Sequence, residues 1–183
     1  MTVYIAFLRG INVGGNKKVS MAELKISWEQ IGVQQVKTYI NSGNVLFTSN
    51  LGPDELVSKL EAEVESHFQL TSKILIRTAA ELEQIVEQCP FPKDQLEKGE
   101  SIHITLLDHP LSEGEQEVLY SLDSQQDEFK IYGDHIYFYF RQSILDSKLA
   151  SFLSKNKGRS TSRNFNTMLK MHQLAEQVKE SYK

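Results

Sequence analysis

The spacing of apolar residues divides the first 77 residues into an ordered series of strands and helices. Residues 3–9 (VYIAFLR) are apolar at both alternating positions, which predicts a strand buried on both faces. A glycine-rich loop over residues 10–19 follows, and then Ser20 and Glu23 have the spacing of a capping box that begins a helix. Two β-rich runs, residues 36–40 and 45–48, flank a tight-turn sequence and predict a hairpin.

A helix after Gly52-Pro53 and a strand over residues 73–77 complete this first subdomain, residues 1–77. Its order is β-α-β-β-α-β, as in a ferredoxin-like fold. The second subdomain, residues 78–183, adds a helix and then repeats β-α-β-β-α, with no evident final strand before a basic loop and a C-terminal helix from about Asn164. The sequence therefore predicts an α+β protein of two ferredoxin-like (βαββα-type) subdomains with antiparallel or mixed sheets.

The composition is that of a globular protein. The chain has 183 residues, of which 40% are hydrophobic and 24% charged, and it contains no low-complexity tract. No apolar run is long enough to span a bilayer and no signal peptide is recognisable, so a cytoplasmic location is expected. The single cysteine, Cys89, excludes an internal disulfide and the usual cysteine metal sites. We predict no metal and no cofactor.

The net charge of −4 conceals a strong segregation of charge along the chain. Residues 1–49 hold five basic and two acidic side chains, and residues 147–183 hold eight basic and two acidic. Between them, residues 81–128 hold two basic and thirteen acidic side chains. If the two basic ends meet, they form a positive surface on an acidic protein, which would suit an anion or a nucleic acid.

The loop over residues 10–19 has the composition of a phosphate-binding loop. Its glycines let backbone N–H groups approach an anion, and its lysines supply positive charge. The spacing does not fit a Walker A motif, because Asn16 follows Gly15 where that motif requires lysine. It does not fit G-x-G-x-x-G either, because position 12 is asparagine. The alternative is a flexible connector with solvated lysines. The predicted ligand-binding residues here are Arg9, Gly10, Asn12, Gly14, Gly15 and Lys17.

Two further segments carry candidate ligand-binding side chains. Residues 160–167 (STSRNFNT) place hydroxyls, amides and an arginine beside the predicted start of the last helix, which predicts an oxyanion cradle, unless they are only an ample N-cap. The hairpin turn is explained by turn chemistry alone, although its side chains could face a ligand. The predicted residues are Thr161, Arg163, Asn164 and Asn166 in the first segment and Asn41, Ser42 and Asn44 in the second.

Three sequence strings together resemble the bacterial family called domain of unknown function 1697. They are residues 6–15 (AFLRGINVGG) with Val19 and residues 21–24 (MAEL), residues 39–45 (YINSGNV), and residues 161–167 (TSRNFNT). The resemblance implies a small cytoplasmic bacterial α+β protein of two βαβ-containing subdomains, and it implies no activity. Phe165 departs from the family pattern, which often has tryptophan at this position.

These observations favour a binding protein whose glycine-rich loop, hairpin turn and last-helix start meet around an anion. The expected partner is a phosphate group of RNA, DNA or a nucleotide, and no membrane partner is expected. Two alternatives stay open: an enzyme acting on a phosphorylated or carboxylated small molecule, and a protein-interaction module. A pocket with a titratable group of shifted pKa would favour the enzyme. A broad basic face would favour nucleic acid. The sequence predicts neither catalytic residues nor an oligomeric state.

Overall fold

The computed structural model describes residues 1–14, 18–156 and 158–181. The predicted α+β class is confirmed, and the elements repeat a strand-helix-strand-strand-helix-strand order. In chain order they are β1 (Thr2–Leu8), α1 (Met21–Gln30), β2 (Gln34–Tyr39), β3 (Asn44–Ser49), α2 (Pro53–Phe68), β4 (Ile74–Thr78), α3 (Ala79–Glu87), β5 (Ser101–Leu107), α4 (Glu113–Ser121), β6 (Glu128–Tyr132), β7 (His135–Phe140), α5 (Lys148–Lys155), β8 (Ser160–Asn164) and α6 (Phe165–Glu180).

The strands form two four-stranded sheets with the same topology. The first has the order β2-β3-β1-β4 and the second the order β6-β7-β5-β8. All strand pairs within both sheets are antiparallel. Each sheet therefore has the order expected for a ferredoxin-like unit, in which the third strand lies between the first and second.

The chain separates into two compact units, each of which contains one sheet. The first comprises residues 1–85 and 169–183, and the second comprises residues 86–168. The sequence prediction placed its boundary at residue 77 and assigned the whole C-terminal helix to the second subdomain. In the structure most of α3, and α6 from Leu169 onwards, group with the first unit. No helix in the described part of the chain is long and apolar enough to cross a membrane.

The core of the first unit is formed by one face of its sheet and by α1 and α2. Leu8, Trp28 and Leu60 belong to a single hydrophobic cluster and are inaccessible to solvent. The alternate residues Ile5 and Phe7 are also fully buried. The prediction that the first strand is covered on both faces is therefore confirmed, and β1 provides a rigid base for the loop that follows it.

In the second unit, the helix-facing side of the sheet packs against α4 and α5. Phe138 and Phe140 join Leu119 and Phe152 in one cluster. Tyr137, on the alternate side of β7, is also fully buried. The aromatic residues of this strand are thus core residues on both faces, and their rings are not available to stack on bases.

The structure contradicts the prediction that the second unit lacks a final strand. Residues 160–164 form β8, in which Thr161 lies opposite Leu106 and Arg163 lies opposite Ile104 of β5. Hydroxyl side chains supply no apolar alternation, so the usual signal of a strand is missing from this segment. The hydroxyl of Thr105 nevertheless hydrogen-bonds the hydroxyl of Ser162 across the pair. The last helix begins only at Phe165.

Candidate functional site

An open cleft of about 620 Å³ lies in the first unit, beside the end of β1. Three segments contribute to its lining: the glycine-rich loop, the first turn of α1 and the turn of the β2–β3 hairpin. The lining residues are Asn12, Lys18, Val19, Ser20, Met21, Ala22 and Asn41. Two of the three segments that the sequence singled out, the glycine-rich loop and the hairpin turn, therefore meet at one place.

Asn12 holds the glycine-rich loop against the hairpin. Its Nδ2 donates to the carbonyl oxygens of Val19 (3.0 Å) and Asn41 (2.7 Å), and its Oδ1 accepts from the Val19 N–H (2.7 Å). The residue has φ of 56°, a left-handed conformation that asparagine tolerates better than most residues. The Asn12 side chain thus shapes the wall of the cleft by binding the protein's own backbone.

Side chains of the β2–β3 hairpin also form hydrogen bonds within the hairpin itself. Asn44 is fully buried, and its Nδ2 donates to the Tyr39 carbonyl (3.1 Å) and to the Ser42 hydroxyl (3.0 Å). The Gly43 carbonyl accepts a hydrogen bond from the Leu8 N–H (2.8 Å), which attaches the turn to the end of β1. These contacts fix the position of Asn41 at the cleft.

Gly10 and Gly14 have the backbone conformations that require glycine in the loop. Their φ angles are 67° and 74°, and a Cβ atom at either position would meet no other atom within 4 Å. Backbone conformation, rather than lack of space, explains these two glycines. The predicted binding residues Gly15 and Lys17 lie outside the described residues.

Basic side chains lie where β1 ends. Arg9 is half-buried; its N–H donates to the Lys73 carbonyl (2.9 Å), and its own carbonyl accepts from the Ser72 hydroxyl (2.9 Å). Burial lowers the pKa of Arg9, but an arginine keeps its charge in proteins. Lys73 Nζ lies 3.5 Å from the Glu61 carboxylate, and Lys18 is exposed in the lining of the cleft.

The first turn of α1 adds a positive end of a helix dipole to the cleft. Ser20 is the N-cap, and its hydroxyl accepts from the Glu23 N–H (3.3 Å). Met21 and Ala22, the first two helical residues, line the cleft. The N–H groups at a helix start and the aligned peptide dipoles favour negative charge there.

The equivalent position in the second unit carries ion pairs. The Asp108 N–H donates to the Arg159 carbonyl (3.0 Å), as the Arg9 N–H donates to that of Lys73, so Asp108 stands where Arg9 stands in the first unit. The Arg159 guanidinium lies 3.3 Å from the Asp108 carboxylate and also binds the carboxylate of Glu115 in α4. In this unit the Arg159 guanidinium therefore links the residue that follows β5 to the start of α4.

The second group of predicted residues lies in and just after β8. Thr161 is buried, and Arg163 Nη1 donates to its hydroxyl (2.9 Å) and to the Ser162 carbonyl (2.9 Å). Asn164 Oδ1 accepts from the Asn166 N–H (2.9 Å) in the first turn of α6. The prediction that these four residues lie at the start of the last helix is wrong for three of them, which belong to the strand β8. Only Asn164 keeps a capping contact.

The cleft is also lined by five residues that were not among the predicted binding residues: Lys18, Val19, Ser20, Met21 and Ala22. A signal for Ser20 was present, because its capping-box spacing with Glu23 marks a helix start, where N–H groups are free. Lys18 follows a predicted basic position, yet nothing in its spacing distinguishes a lysine that lines a cleft from one that is solvated elsewhere.

Comparisons with known proteins agree with this fold. A family model described as "Protein of unknown function (DUF1697)" matches residues 1–137. Among solved structures, the conserved bacterial protein SP0830 from Streptococcus pneumoniae is similar, with 28% sequence identity and a TM-score of 0.78 over 95% of this chain and 98% of that one. The search of curated proteins found no match. The family match includes the glycine-rich loop and the first hairpin and ends before residues 161–167.

Proposed function

The chain belongs to the family of proteins of unknown function DUF1697, and we propose that this protein binds a small molecule through a phosphate group in the cleft of its first unit. Lys18 and the N–H groups at the start of α1 would contact the phosphate oxygens. Arg9 would add positive charge at the base of the loop. Asn12 and Asn41 would maintain the shape of the cleft.

The observation that carries this proposal is the difference between the two units at the end of their first strands. In the second unit Arg159 is held there by Asp108 and Glu115. In the first unit Arg9 replaces the acid, and the neighbouring cleft is lined by Lys18. The first unit therefore has a basic residue, next to an open cleft lined by an exposed lysine, where the second unit has an acidic one. Lys73, the counterpart of Arg159, lies 3.5 Å from the Glu61 carboxylate, so both units pair this cation with an acid. An anion is the ligand that complements this arrangement.

The size of the cleft favours a small ligand as the source of the phosphate. Its volume of about 620 Å³ falls within the range of roughly 300–1,000 Å³ that is usual for small-molecule sites. A nucleotide would fill such a space, whereas a nucleic acid would contact it only through one phosphate or an exposed end.

The cleft supports binding more directly than catalysis. Of its lining residues in the described part of the chain, Lys18 alone has an ionisable side chain. General acid–base catalysis uses groups whose pKa lies near the working pH, most often histidine or a carboxylate. The proposal therefore includes no reaction.

Calorimetric titration with inorganic phosphate, AMP and ATP tests the proposal. We expect binding that weakens by about tenfold in Lys18→Gln, because a hydrogen bond to a charged group contributes about 1.5–3 kcal/mol. Lys25→Gln is the matched control, since Lys25 is an exposed lysine of α1 that faces Glu29 (3.8 Å) and does not line the cleft. Absence of binding, or equal affinity in the wild type and Lys18→Gln, would overturn the proposal.

Labelled single-stranded and duplex RNA and DNA distinguish the two sources of phosphate. Binding of a polymer that falls steeply as salt rises and resists displacement by AMP would identify a nucleic-acid ligand. Displacement by AMP at low concentration would identify a small molecule. The prediction that Arg163 binds an anion is tested separately by Arg163→Ala, in which weaker binding of phosphate than in the wild type would support it.

A further inference from the structure

The strand β6 forms one edge of the second sheet and contains no buried residue. Its residues alternate between exposed and half-buried, whereas each of the other seven strands in the described part of the chain has at least one buried residue. The sheet order gives β6 a single neighbour, β7. One row of its backbone N–H and C=O groups therefore points away from the sheet, and such a row can pair with a further strand.

The corresponding edge of the first unit is protected against such pairing. There β2 pairs with β3 through a register shift between Gln34 and Lys37, and Gln35 within this bulge has φ of 52°. A bulge twists an edge strand and interrupts the row of backbone groups that a further strand would need. The pairing of β6 with β7 contains no such shift. The second unit thus keeps a regular edge where the first unit has an irregular one.

The hairpin turn determines which residues of β6 can bond a further strand. Tyr132 and His135 flank a two-residue turn and lie opposite each other. Residues in this position of a hairpin bond each other, and the pattern recurs at every second residue. The backbone groups of Tyr132 and Lys130 are therefore directed to β7. Those of Phe129 and Ile131 are directed to the open edge.

We propose that β6 pairs with β6 of a second copy of this chain, antiparallel and centred on Phe129. In this register Phe129 bonds its own counterpart, and Glu128 of each copy lies opposite Lys130 of the other. Both charged side chains are exposed. Glu128 also binds Arg141 (2.6 Å), yet 48% of its side-chain surface stays accessible. The two-fold symmetry of the pair therefore creates two ion pairs between directly opposite residues, which stabilise paired strands.

The charges of β6 favour this register and this occupant over others. A pair centred on Lys130 would place two lysines opposite each other, and a pair centred on Glu128 would do the same with two carboxylates. A lysine on an edge strand opposes pairing with most strands. A strand that carries a carboxylate at the facing position accepts that lysine, and β6 itself is such a strand.

Self-pairing would also cover exposed aromatic surface beside β6. Tyr120 of α4 is 66% exposed, and its ring lies 5.1 Å from that of Phe129. Across the pair, the Cβ atoms of the two Phe129 residues would be roughly 4.5–5.5 Å apart, with Tyr120 of each copy beside them. One short strand from each copy forms an interface smaller than the roughly 1,200 Å² of stable complexes, so we expect a weak dimer.

Analytical ultracentrifugation of the full chain over a range of concentrations tests the proposal. We expect a dimer with a dissociation constant of roughly 10–100 μM. Lys130→Glu should raise this constant at least about tenfold, because it places two carboxylates opposite each other at two positions. Lys98→Glu is the matched control: Lys98 is an exposed lysine of the same unit outside β6, so the same change of charge should leave the constant unchanged.

Mixing two charge variants tests the register itself. Lys130→Glu and Glu128→Lys each place like charges opposite one another, so each should be monomeric when alone. In the mixture every carboxylate of one variant lies opposite a lysine of the other, so heterodimers should form. Melting temperatures close to that of the wild type verify that both variants fold.

Four outcomes would overturn the proposal. A wild type that stays monomeric would leave a strand of another protein as the occupant of this edge. A dimer that withstands Lys130→Glu would use another surface. Equal weakening by Lys130→Glu and Lys98→Glu would indicate a general effect of charge. A mixture that stays monomeric would contradict the pairing of Glu128 with Lys130. The phosphate site in the first unit stands or falls independently of all four.

Discussion

Gly43 and Leu8 lie closer together than any side chain on residue 43 would allow. A Cβ atom on Gly43 would stand 2.8 Å from the Leu8 Cβ and 2.8 Å from Ile11 Cδ1. Leu8 is fully buried in β1, so it has little room to move away. The β2–β3 hairpin is therefore seated directly on the end of β1, and this contact places Asn41 at the cleft.

Gly43→Ala should destabilise the first unit by roughly 2–4 kcal/mol. Overpacking accounts for about 1–3 kcal/mol, and the left-handed backbone at φ of 79° adds about 1 kcal/mol. Gly133→Ala is the control, because its φ of 54° is similar and a Cβ there would meet no atom within 4 Å. Urea unfolding measures both. Equal losses in the two variants would show that the close approach contributes nothing.

Asn12→Ala should loosen the glycine-rich loop and weaken any ligand binding in the cleft. The substitution removes three hydrogen bonds, two of them to Val19, and each contributes roughly 1 kcal/mol. Asn12→Gly separates the two effects, since it removes the same bonds while tolerating φ of 56°. We expect Asn12→Gly to be the more stable of the two variants in thermal unfolding. The opposite order would contradict the account of strain at this position.

The stability of the second unit should depend on Glu115 at acidic pH. The pKa of Glu115 is lowered, chiefly by the hydrogen bond from the Ser112 N–H and further by Arg159. A lowered carboxyl pKa contributes stability that is present above the unfolded value of about 4.3 and is lost as the pH falls through the folded value.

Arg159→Gln tests that dependence. The carboxyl resonance of Glu115 should titrate at a higher pH in this variant, yet still below its ordinary value, because the Ser112 N–H remains. The loss of stability should be present at pH 7 and should shrink once Glu115 is protonated. A loss that is the same at pH 7 and pH 3 would show that Arg159 acts only through packing and through its hydrogen bonds to the carbonyls of His109 and Pro110.

His103 should make the protein less stable below about pH 6.5. It is largely buried with its ring edge-on to Phe140 at 5.4 Å, and burial lowers its pKa. As the pH drops below the unfolded pKa, His103 binds a proton in the unfolded chain but stays neutral in the folded chain, so the free energy of unfolding falls. Relative to His103→Gln, the wild type should lose roughly 1 kcal/mol between pH 7.5 and pH 5.5. A constant difference in denaturant unfolding over that interval would contradict this assignment.

The sequence predicted most elements because their local signals are strong. The apolar run of β1, the capping-box spacings that begin at Ser20 and Ser112, and the glycine turns of both hairpins each depend on residues close together in the chain. The strand β8 was missed for a complementary reason. Its residues Ser160 and Thr161 are buried by pairing with β5, and this long-range pairing leaves no apolar alternation in the sequence.

The candidate site was only partly predictable. Glycines and asparagines marked the loop and the hairpin correctly as unusual, but Asn12 and Asn44 bind the protein's own backbone. Spacing could not distinguish these internal hydrogen bonds from contacts to a ligand, because both use the same donors and acceptors. Lys18 lacked any local feature that would separate a lysine lining a cleft from a solvated one.

By itself, the sequence determined the α+β class, the duplicated strand and helix order, and the two segments that meet at the cleft, because periodicity and turn chemistry act over a few residues. Only the tertiary structure decided which groups face that cleft and which are used internally. It paired Asn12 with Asn41 and Arg159 with Asp108 across 29 and 51 residues of chain. It also revealed Ile40 in a conformation suited to glycine. Such relationships depend on packing and backbone geometry, which local sequence patterns do not record.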